Sequence, residues 1–376
     1  MPIVAQVGYR PDCGTFYEWD GVRYANSYSP TSLPPVATAF TPAGLAGIES
    51  FKLLLWDMCG RRESVFLNLI YWYAHNVQYP GRKIRWAPIV KGINGDGKTL
   101  CIAVLRAAMG FRNLSTTSNS NIANNGGFTD WAVRGAVNVI EEIMLTGKQR
   151  HQFFNAMKEF ITNSVVDVNV KGGKPRQQWN CTNHYANTNH NDALPLEQTD
   201  RRWFVVFTPW ASRDAMLSYC GLDARTWEVR IAQIDHAKDH CASELRAWFL
   251  SLAIPPTFDI NGPAMVTPEK ARMMASSKDD VESVIEAIIA DGAEGITDRV
   301  VSTSHLSRLL ALRAPAGGYD VPKTTALTHM LSRLGYSKMD KQVKWRGEPL
   351  RLWVKNGGEL TPEDVRSQLD HSLPSL

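Results

Sequence analysis

The sequence has no run of apolar residues long enough to cross a bilayer, which takes about 20 residues in a helix. Its longest aromatic-rich run, VFLNLIYWYA at residues 65–74, is short and contains Asn68. The amino terminus also lacks the charged and then apolar pattern of a secretory signal. We therefore expect no membrane partner and a cytosolic setting.

Cysteine is scarce and scattered, with six residues in 376 and no C-x-x-C pair, so neither a zinc ribbon nor a disulfide framework is indicated. His236 and His240 are four residues apart, beside Cys241, and would lie on one face of a helix. No Glu follows His236 and no third ligand lies nearby, which favours a solvated helix face over a metal site.

An excess of charge of one sign is also nearly absent. The 41 Lys and Arg residues and 37 Asp and Glu residues leave a net charge of +4, too small to indicate nucleic-acid binding by the chain as a whole. Local basic patches remain compatible with that sum. The hydrophobic fraction of 44% predicts a large core and two or three domains at this length.

The sequence does contain a glycine-rich loop between a strand-like run at 84–90 and a helical apolar pattern. The loop, GINGDGKT, fits the phosphate-loop template of two glycines five apart followed by Lys and Thr. In such loops, backbone N–H groups and the positive end of the next helix converge on phosphate oxygens. The residues expected to bind a nucleoside triphosphate are Gly92, Asn94, Gly95, Asp96, Gly97, Lys98, Thr99 and Leu100.

Within that loop, Lys98 is expected to reach the β and γ phosphates, and Thr99 to bind Mg²⁺ through its hydroxyl. A mostly apolar run at 137–140 ends in Glu141 and Glu142, which places two carboxylates at the carboxyl end of a buried strand. One of the two carboxylates can hold the Mg²⁺ shell and the other can orient the attacking water. The residue that we predict as the Mg²⁺ ligand is Glu141. The alternative is that the pair only begins a solvated helix.

Polar residues stand at the ends of two later strand-like runs. One run ends at Asn189, whose amide can hydrogen-bond the γ-phosphate or the lytic water. Arg201 and Arg202 precede another, and an arginine supplied by a neighbouring subunit can neutralise charge in the transition state, a role worth about 10³ to 10⁵ in rate. Arginine pairs before strands are otherwise ordinary solvated charge.

Strands alternate with helical or loop segments from about residue 85 to 210, the pattern of an α/β sheet covered on both faces. Before it we predict a hairpin that turns at Asp20-Gly21, a Pro-rich connector, and helices at 43–59 and 61–77. After it, a helical region leads to two short helices and a basic hairpin that turns at 346–349. This last segment predicts a winged helix or a small α+β capping domain. The expected divisions are 1–43, 44–80, 81–212, 213–295, 296–358 and 359–376.

In their order and spacing these motifs resemble the superfamily 3 helicases, the ring-forming ATPases of small DNA viruses, poxvirus-type primase-helicases and phage primase-polymerases. The likeness covers about residues 60–300 and rests on the glycine-rich loop, the Glu141-Glu142 pair, the asparagine of TNHNDALP and the RRWF run. It implies an AAA+ type core with a parallel sheet, a ring that is usually a hexamer, and ATP hydrolysis between subunits. Arg202 would be the arginine finger, with Arg201 as the fallback, and Lys158 corresponds only weakly to a second basic residue near the nucleotide.

Members of that family place a DNA-gripping β-hairpin between the carboxylates and the sensor asparagine. Here alternating residues at 166–170 are followed by two glycines and a cluster of cations. The predicted DNA-binding residues are Lys171, Gly172, Gly173, Lys174 and Arg176. Such cations would track phosphates without reading bases, so binding should weaken steeply with salt. An exposed hairpin kept soluble by lysines is the alternative.

The sequence thus predicts an ATP-driven helicase of phage, viral or plasmid replication, acting on single-stranded and forked DNA in the host cytosol. No primase or polymerase site is recognisable, so a primase or polymerase domain or protein is an expected partner. Two alternatives stay open. One is an ATP-switched origin-binding initiator, with duplex contacts through Lys341, Lys344, Arg346 and Arg351. The other is a P-loop small-molecule kinase, which needs neither the lysine hairpin nor an arginine from a neighbour.

Overall fold

The structure is a computed structural model that describes residues 6–118, 122, 128–143, 147–170, 174–197, 199–276, 280–317, 321–355 and 360–370. Contacts divide the chain into two compact units, which we call unit 1 (Met1–Ser277) and unit 2 (Lys278–Leu376). Among the described residues, no helix is both long enough and apolar enough to cross a membrane.

Unit 1 alternates strands and helices, as the sequence pattern predicts for an α/β domain. Its strands are β1 Gln6–Gly8, β2 Phe16–Trp19, β3 Val22–Asn26, β4 Ala87–Lys91, β5 Leu114–Ser118, β6 Val137–Glu141, β7 Val165–Val168, β8 Arg176–Trp179, β9 Asn183–Thr188 and β10 Trp203–Phe207. Its helices are α1 Pro42–Met58, α2 Glu63–Gln78, α3 Lys98–Met109, α4 Gly147–Thr162, α5 Arg213–Cys220, α6 Ala224–His240, α7 Ala242–Ser251 and α8 Pro268–Ser276.

The amino-terminal elements match their local signals. β2 and β3 form the predicted antiparallel hairpin, and its two-residue turn has positive φ at Asp20 (49°) and Gly21 (70°). The two predicted helices are present as α1 and α2, with ends within two residues of the prediction. Thr41 caps α1 because its hydroxyl oxygen accepts a hydrogen bond from the Gly44 N–H.

Five parallel strands form the central sheet, in the order β10-β4-β9-β6-β5. Side chains alternate across it: Val90 and Phe204 join one buried cluster, whereas Ile89 and Val205 join another. Helices α1, α2, α3, α6 and α7 contribute to the first cluster, and α4 and α8 to the second. The predicted sheet covered on both faces is therefore confirmed.

The strand predicted at 84–90 is shifted, because β4 begins only at Ala87. The Ile84 N–H donates to the Asn183 side chain, and the Arg85 N–H donates to the Ile260 carbonyl, so neither joins the strand ladder. This shift leaves the predicted order of strand, glycine-rich loop and helix intact, since α3 begins at Lys98.

The predicted hairpin between the carboxylates and Asn189 is present in its strands. β7 and β8 pair antiparallel, with Val165 opposite Trp179 and Val168 opposite Arg176. The first strand ends at Val168 rather than at the predicted residue 170. Three predicted DNA-binding residues lie outside the described residues: Lys171, Gly172 and Gly173.

Unit 2 is a small α+β unit. Its elements are α9 Asp280–Asp291, β11 Val300–Ser302, α10 Thr303–Gly317, α11 Thr324–Arg333, β12 Tyr336–Lys338, β13 Val343–Trp345, β14 Glu348–Leu350, β15 Leu352–Lys355 and α12 Pro362–Asp370. β15 lies between β11 and β12 in an antiparallel sheet, and β13 pairs with β14. The turn predicted at 346–349 is shorter, because only Arg346 and Gly347, both with positive φ, lie between the two strands.

Close packing of α1 on α6 generates a stability prediction. A Cβ at Gly47 would lie 2.2 Å from the Ala237 Cβ and 2.8 Å from the Gln233 carbonyl oxygen. Gly47→Ala should therefore lower the free energy of unfolding by ~1–3 kcal/mol, although glycine to alanine in a helix interior usually raises it. Urea unfolding measures the change. Gly14→Ala is the control, because no atom lies within 4 Å there, and equal loss in both variants would contradict the prediction.

Candidate functional site

A cavity of about 960 Å³ lies at the carboxyl ends of β4, β6 and β9. Of the residues predicted to bind nucleotide, Asn94, Gly95, Asp96, Gly97, Lys98, Thr99 and Leu100 line it. Glu141, Glu142 and Asn189 line it as well. The fold thus brings three separate sequence motifs to one place, because the carboxyl ends of parallel strands meet at the same edge of a sheet.

Two glycines shape the loop after β4. Gly95 and Gly97 have φ of 77° and 94°, in the left-handed region that glycine adopts without strain. Gly97 is also the N-cap of α3, so the helix begins directly at the cavity. The unpaired N–H groups and the partial positive charge of this helix end are therefore directed to the cavity.

Lys98 and Asp96 form a buried ion pair in this loop. Lys98 Nζ lies 2.9 Å from Asp96 Oδ1 and donates a 2.5 Å hydrogen bond to the Ile93 carbonyl. The other carboxylate oxygen, Oδ2, accepts from the Ile93 N–H at 2.9 Å and from Trp210 Nε1 at 3.4 Å. Asp96 is 1% exposed, and a charge at that depth needs such partners.

Gly92 does not line the cavity, but its lack of a side chain makes room for the carboxylate. A Cβ there would lie 1.9 Å from Asp96 Oδ2. The first glycine of the loop is thus required by packing inside the loop, a reason that differs from the predicted contact with nucleotide.

The two carboxylates lie at the end of β6, where the backbone turns sharply. Glu142 has φ of 55°, a left-handed conformation that side-chain-bearing residues rarely adopt and that is often found at functional sites. Two bonds hold the ends of β6 and β9 together here: the Ile143 N–H donates to the Asn187 carbonyl at 3.2 Å, and the Thr188 hydroxyl donates to the Ile143 carbonyl at 3.0 Å. With the Thr99 hydroxyl in the same cavity, the side-chain oxygens are of the type that Mg²⁺ prefers.

Two asparagines line the cavity at the carboxyl end of β9: Asn187 within the strand and Asn189 just after it. Asn189 donates a 2.7 Å hydrogen bond from its amide to Asn94 Oδ1, so the predicted sensor residue contacts the loop. Asn187 was not predicted; it is 4% exposed, lines the cavity, and neither end of its amide has a partner among the described residues. Because buried amides are nearly always paired, Asn187 is a candidate for contact with a molecule bound in the cavity. Residues two apart in a strand face the same side, so the position of Asn187 two residues before Asn189 could have identified it from the sequence.

Part of the cavity lining comes from helices α5 and α6, which were predicted only as a helical region. Arg213, the first residue of α5, is exposed and lines the cavity. Along α6, Glu228, Ile231, Ala232 and Asp235 line it at helical spacing, and Trp227 joins them. Their spacing alone gave no signal of a site, since only folding places α6 beside a loop more than 100 residues earlier.

The two arginines are not brought to this cavity. They precede β10, which runs parallel to β4 with Trp203 opposite Ala87, so they lie at the amino edge of the sheet, roughly 16 Å from its carboxyl edge at ~3.3 Å per residue. Arg202 Nε donates to the Thr162 hydroxyl at 3.0 Å, and Nη1 lies 3.6 Å from Asp200 Oδ2. The exposed Arg201 side chain has no polar partner within the described part of the chain.

Other predicted cations also lie away from the cavity lining. Lys158 pairs with Glu197 at 3.4 Å and lies over the Phe154 ring. On the hairpin, Lys174 is exposed, whereas Arg176 donates to Gln178 Oε1 at 3.2 Å. The exposed His236 and His240 have rings 4.8 Å apart, and the described residues contain no group of three His, Cys, Asp or Glu that could hold a metal ion.

One comparison matches the stretch that carries the loop, the two carboxylates and Asn189. Residues 90–202 match the family model "Family of unknown function (DUF5906)", a range that spans Lys98, the two carboxylates and Asn189. The chain is also 25% identical over 200 residues to the DNA primase-polymerase of Nitratiruptor phage NrS-1. That match covers 53% of this chain and 27% of the relative.

Among solved structures, the apo C-terminal region of NrS-1 has a TM-score of 0.54 and 17% identity, with 94% of this chain and 85% of that chain covered. This likeness shows a shared fold. A structure of JCV helicase covers 67% of this chain and 66% of its own at 15% identity, with a TM-score of 0.34, too low to bear on the fold.

The unpaired amide of Asn187 generates a test by stability. Asn187→Ala should change the free energy of unfolding by less than ~1 kcal/mol, because no bond to the described residues is lost. Asn183→Ala on the same strand is the matched control. It removes bonds to the Ile84 N–H, Asn76 Oδ1 and the Arg82 carbonyl, and should cost about 2–4 kcal/mol. Equal costs in urea unfolding would show that Asn187 is structural.

Proposed function

We propose that this chain hydrolyses ATP in the cavity and uses the energy to move along single-stranded DNA and unwind duplex, as the replicative helicase of a phage, virus or plasmid. The observation that carries the proposal is the convergence of the glycine-rich loop, Glu141, Glu142 and Asn189 in one cavity. The NrS-1 relative, a phage primase-polymerase by name, supports a place in DNA replication. It also suggests a primase or polymerase as the partner.

The phosphates would lie on the loop. N–H groups at the start of α3 and the Lys98 ammonium would hold the β and γ phosphates, where the helix end adds its partial charge. Thr99 and Glu141 offer oxygen donors for Mg²⁺, and the ion would neutralise charge on the phosphates. Glu142 would orient the attacking water, and the amides of Asn187 and Asn189 would hydrogen-bond that water or the γ-phosphate.

The remaining wall would hold the rest of the nucleotide. Ile231 and Ala232 on α6 provide an apolar surface between the carboxylates of Glu228 and Asp235. A planar base fits the apolar part, and carboxylates accept hydrogen bonds from hydroxyl and amino groups. Arg213 adds a cation to the cavity lining.

The arginine edge of the sheet supports a site shared between subunits. Arg201 and Arg202 are too far from the cavity of their own chain to act there, so a finger role requires a neighbouring copy in a ring, proposed to be a hexamer. Arg202 is already held by Thr162 and Asp200, whereas the Arg201 side chain is exposed and free to reach across an interface. Arg201, which the sequence offered as the second choice, is therefore as strong a candidate for the arginine finger as Arg202.

Mixed rings test the shared site. Glu142→Ala subunits lack the catalytic carboxylate, and Arg201→Ala or Arg202→Ala subunits lack one arginine, so each variant alone should turn over little ATP. An equal mixture with the variant of the true finger should recover activity, because about one quarter of the interfaces then contain both groups. Steady-state phosphate release measures the recovery. Absence of recovery in both mixtures would mean a site completed within one chain.

The hairpin of β7 and β8 is the proposed DNA contact. Lys174 is exposed and has no ion pair among the described residues, and Arg176 begins the second strand. Cations on such a loop would hold phosphates in any sequence. Movement of the hairpin with ATP turnover would then pull one strand through the ring.

Lys174→Ala should leave basal ATP turnover intact and remove its stimulation by single-stranded DNA. The slope of log affinity against log salt should become shallower by about one. Lys52→Ala, an exposed lysine that pairs with Glu49, is the matched control and should keep the stimulation. Lys98→Ala should have no turnover under any condition. Stimulation that survives in Lys174→Ala would argue against the hairpin as the DNA contact.

A second candidate, an ATP-switched initiator that binds duplex DNA, is favoured by one observation in unit 2. Residues 321–355 contain eight Lys and Arg against two Asp and Glu. Lys341 and Arg351 line a concave site of about 240 Å³ with Lys338, whereas Lys344 is exposed and Arg346 pairs with Glu294 at 2.9 Å. Tight duplex binding that is lost in Lys341→Ala and Arg351→Ala, without strand displacement, would select this candidate. ATP turnover indifferent to any DNA would instead favour a small-molecule kinase.

A further inference from the structure

Asp96 is the most densely hydrogen-bonded side chain of the loop. Its two carboxylate oxygens accept from the Ile93 N–H, the Lys98 N–H, the Lys98 ammonium and the Trp210 indole. The first three donors belong to the loop itself, and the fourth follows β10, more than 100 residues later. One buried carboxylate therefore ties the loop to the segment that leads into α5 and Arg213.

The ion pair limits what Lys98 can offer to a phosphate. An ammonium has three N–H donors, and two of those of Lys98 are directed to Asp96 and to the Ile93 carbonyl. The Asp96 carboxylate also lines the cavity in which the phosphates would lie. Two negative charges repel each other more strongly in a buried site than in water. Asp96 thus reduces the attraction of the loop for a polyanion while it holds the ammonium in one orientation.

Trp210 has a different part in this network. It is 2% exposed, and its ring packs edge-on against Tyr219 of α5 with ring centroids 5.8 Å apart. The indole N–H donates to Asp96 Oδ2, whereas the Lys98 ammonium donates to the other oxygen, Oδ1. Loss of that N–H would remove one donor and leave the ion pair in place.

We propose that Asp96 is a positioning residue that restrains the Lys98 ammonium and weakens ground-state binding of the phosphates, so that Lys98 is correctly oriented for turnover and nucleotide is released readily. The proposal rests on the proposed ATPase function and deepens it. Binding that is equally strong in the ground and transition states does not raise the turnover rate, so a loss of such binding raises KM and leaves kcat unchanged.

The substitution Asp96→Asn tests the proposal, because it should strengthen nucleotide binding and slow turnover. We expect the Kd for ADP and for a non-hydrolysable ATP analogue to fall about tenfold, since one opposing charge is removed, while kcat falls because Lys98 is no longer held. Isothermal titration and steady-state turnover measure the two. A purely structural role would instead weaken binding and turnover together.

Trp210→Phe is the matched control, because it removes one donor from Asp96 and leaves the Lys98 ion pair intact. Its Kd should stay within about twofold of the wild-type value. Tightening of the same size in Trp210→Phe and Asp96→Asn would overturn the assignment to charge. Should Asp96→Asn fail to fold, Asp96→Ser removes the same charge in the space beside Gly92, and the same direction is expected.

The outcomes separate the two proposals. If the wild-type chain binds no nucleotide, the proposed ATPase function fails. If the wild-type chain binds nucleotide and both Asp96 variants bind it more weakly, the ATPase function stands and the positioning role of Asp96 is overturned. A nucleotide-induced rise in the unfolding temperature that is larger in the variants than in the wild-type chain would support the role independently, because ligand affinity for the folded state adds to stability.

Discussion

The order of the five parallel strands determines what can meet in this protein. β9 lies between β4 and β6, so its asparagines are placed between the glycine-rich loop that follows β4 and the carboxylates that end β6. The same parallel arrangement puts Arg201 and Arg202 at the opposite edge, because they precede a strand instead of following one. One sheet therefore has the cavity at one edge and the two arginines at the other, which is the separation that the proposed shared site requires.

Three features of the cavity lower the stability of the folded chain. Glu142 has a left-handed backbone conformation, Asn187 has a buried amide without a partner among the described residues, and Lys98 and Asp96 are oppositely charged side chains that are both buried. Each feature costs free energy in the folded chain. All three occur within one cavity, whereas the aromatic and aliphatic clusters on both faces of the sheet provide the stability that the site lacks.

Elements whose residues are close in the chain were predicted well. The turn at Asp20-Gly21, the helices α1 and α2, the loop from Gly92 to Thr99, and the β7–β8 hairpin all carry local signals in backbone preference or hydrophobic period. Boundaries were less exact: β4 begins three residues late because Ile84 and Arg85 bond elsewhere, and the β13–β14 hairpin of unit 2 turns on two residues rather than four.

The sequence by itself determined the elements and the chemistry available to them, because strand, turn and phosphate-loop patterns are read within a few neighbouring residues. Only the tertiary structure decided which distant groups share the cavity. Arg213, the lining residues of α6 and Asn187 line the cavity although the sequence did not predict them there. Trp210 bonds Asp96, and Arg201 and Arg202 lie at the opposite edge of the sheet. Even Gly92 has its reason in three dimensions, since a side chain there would overlap the Asp96 carboxylate. Contacts across more than 100 residues depend on strand order and helix packing, and no local pattern encodes them.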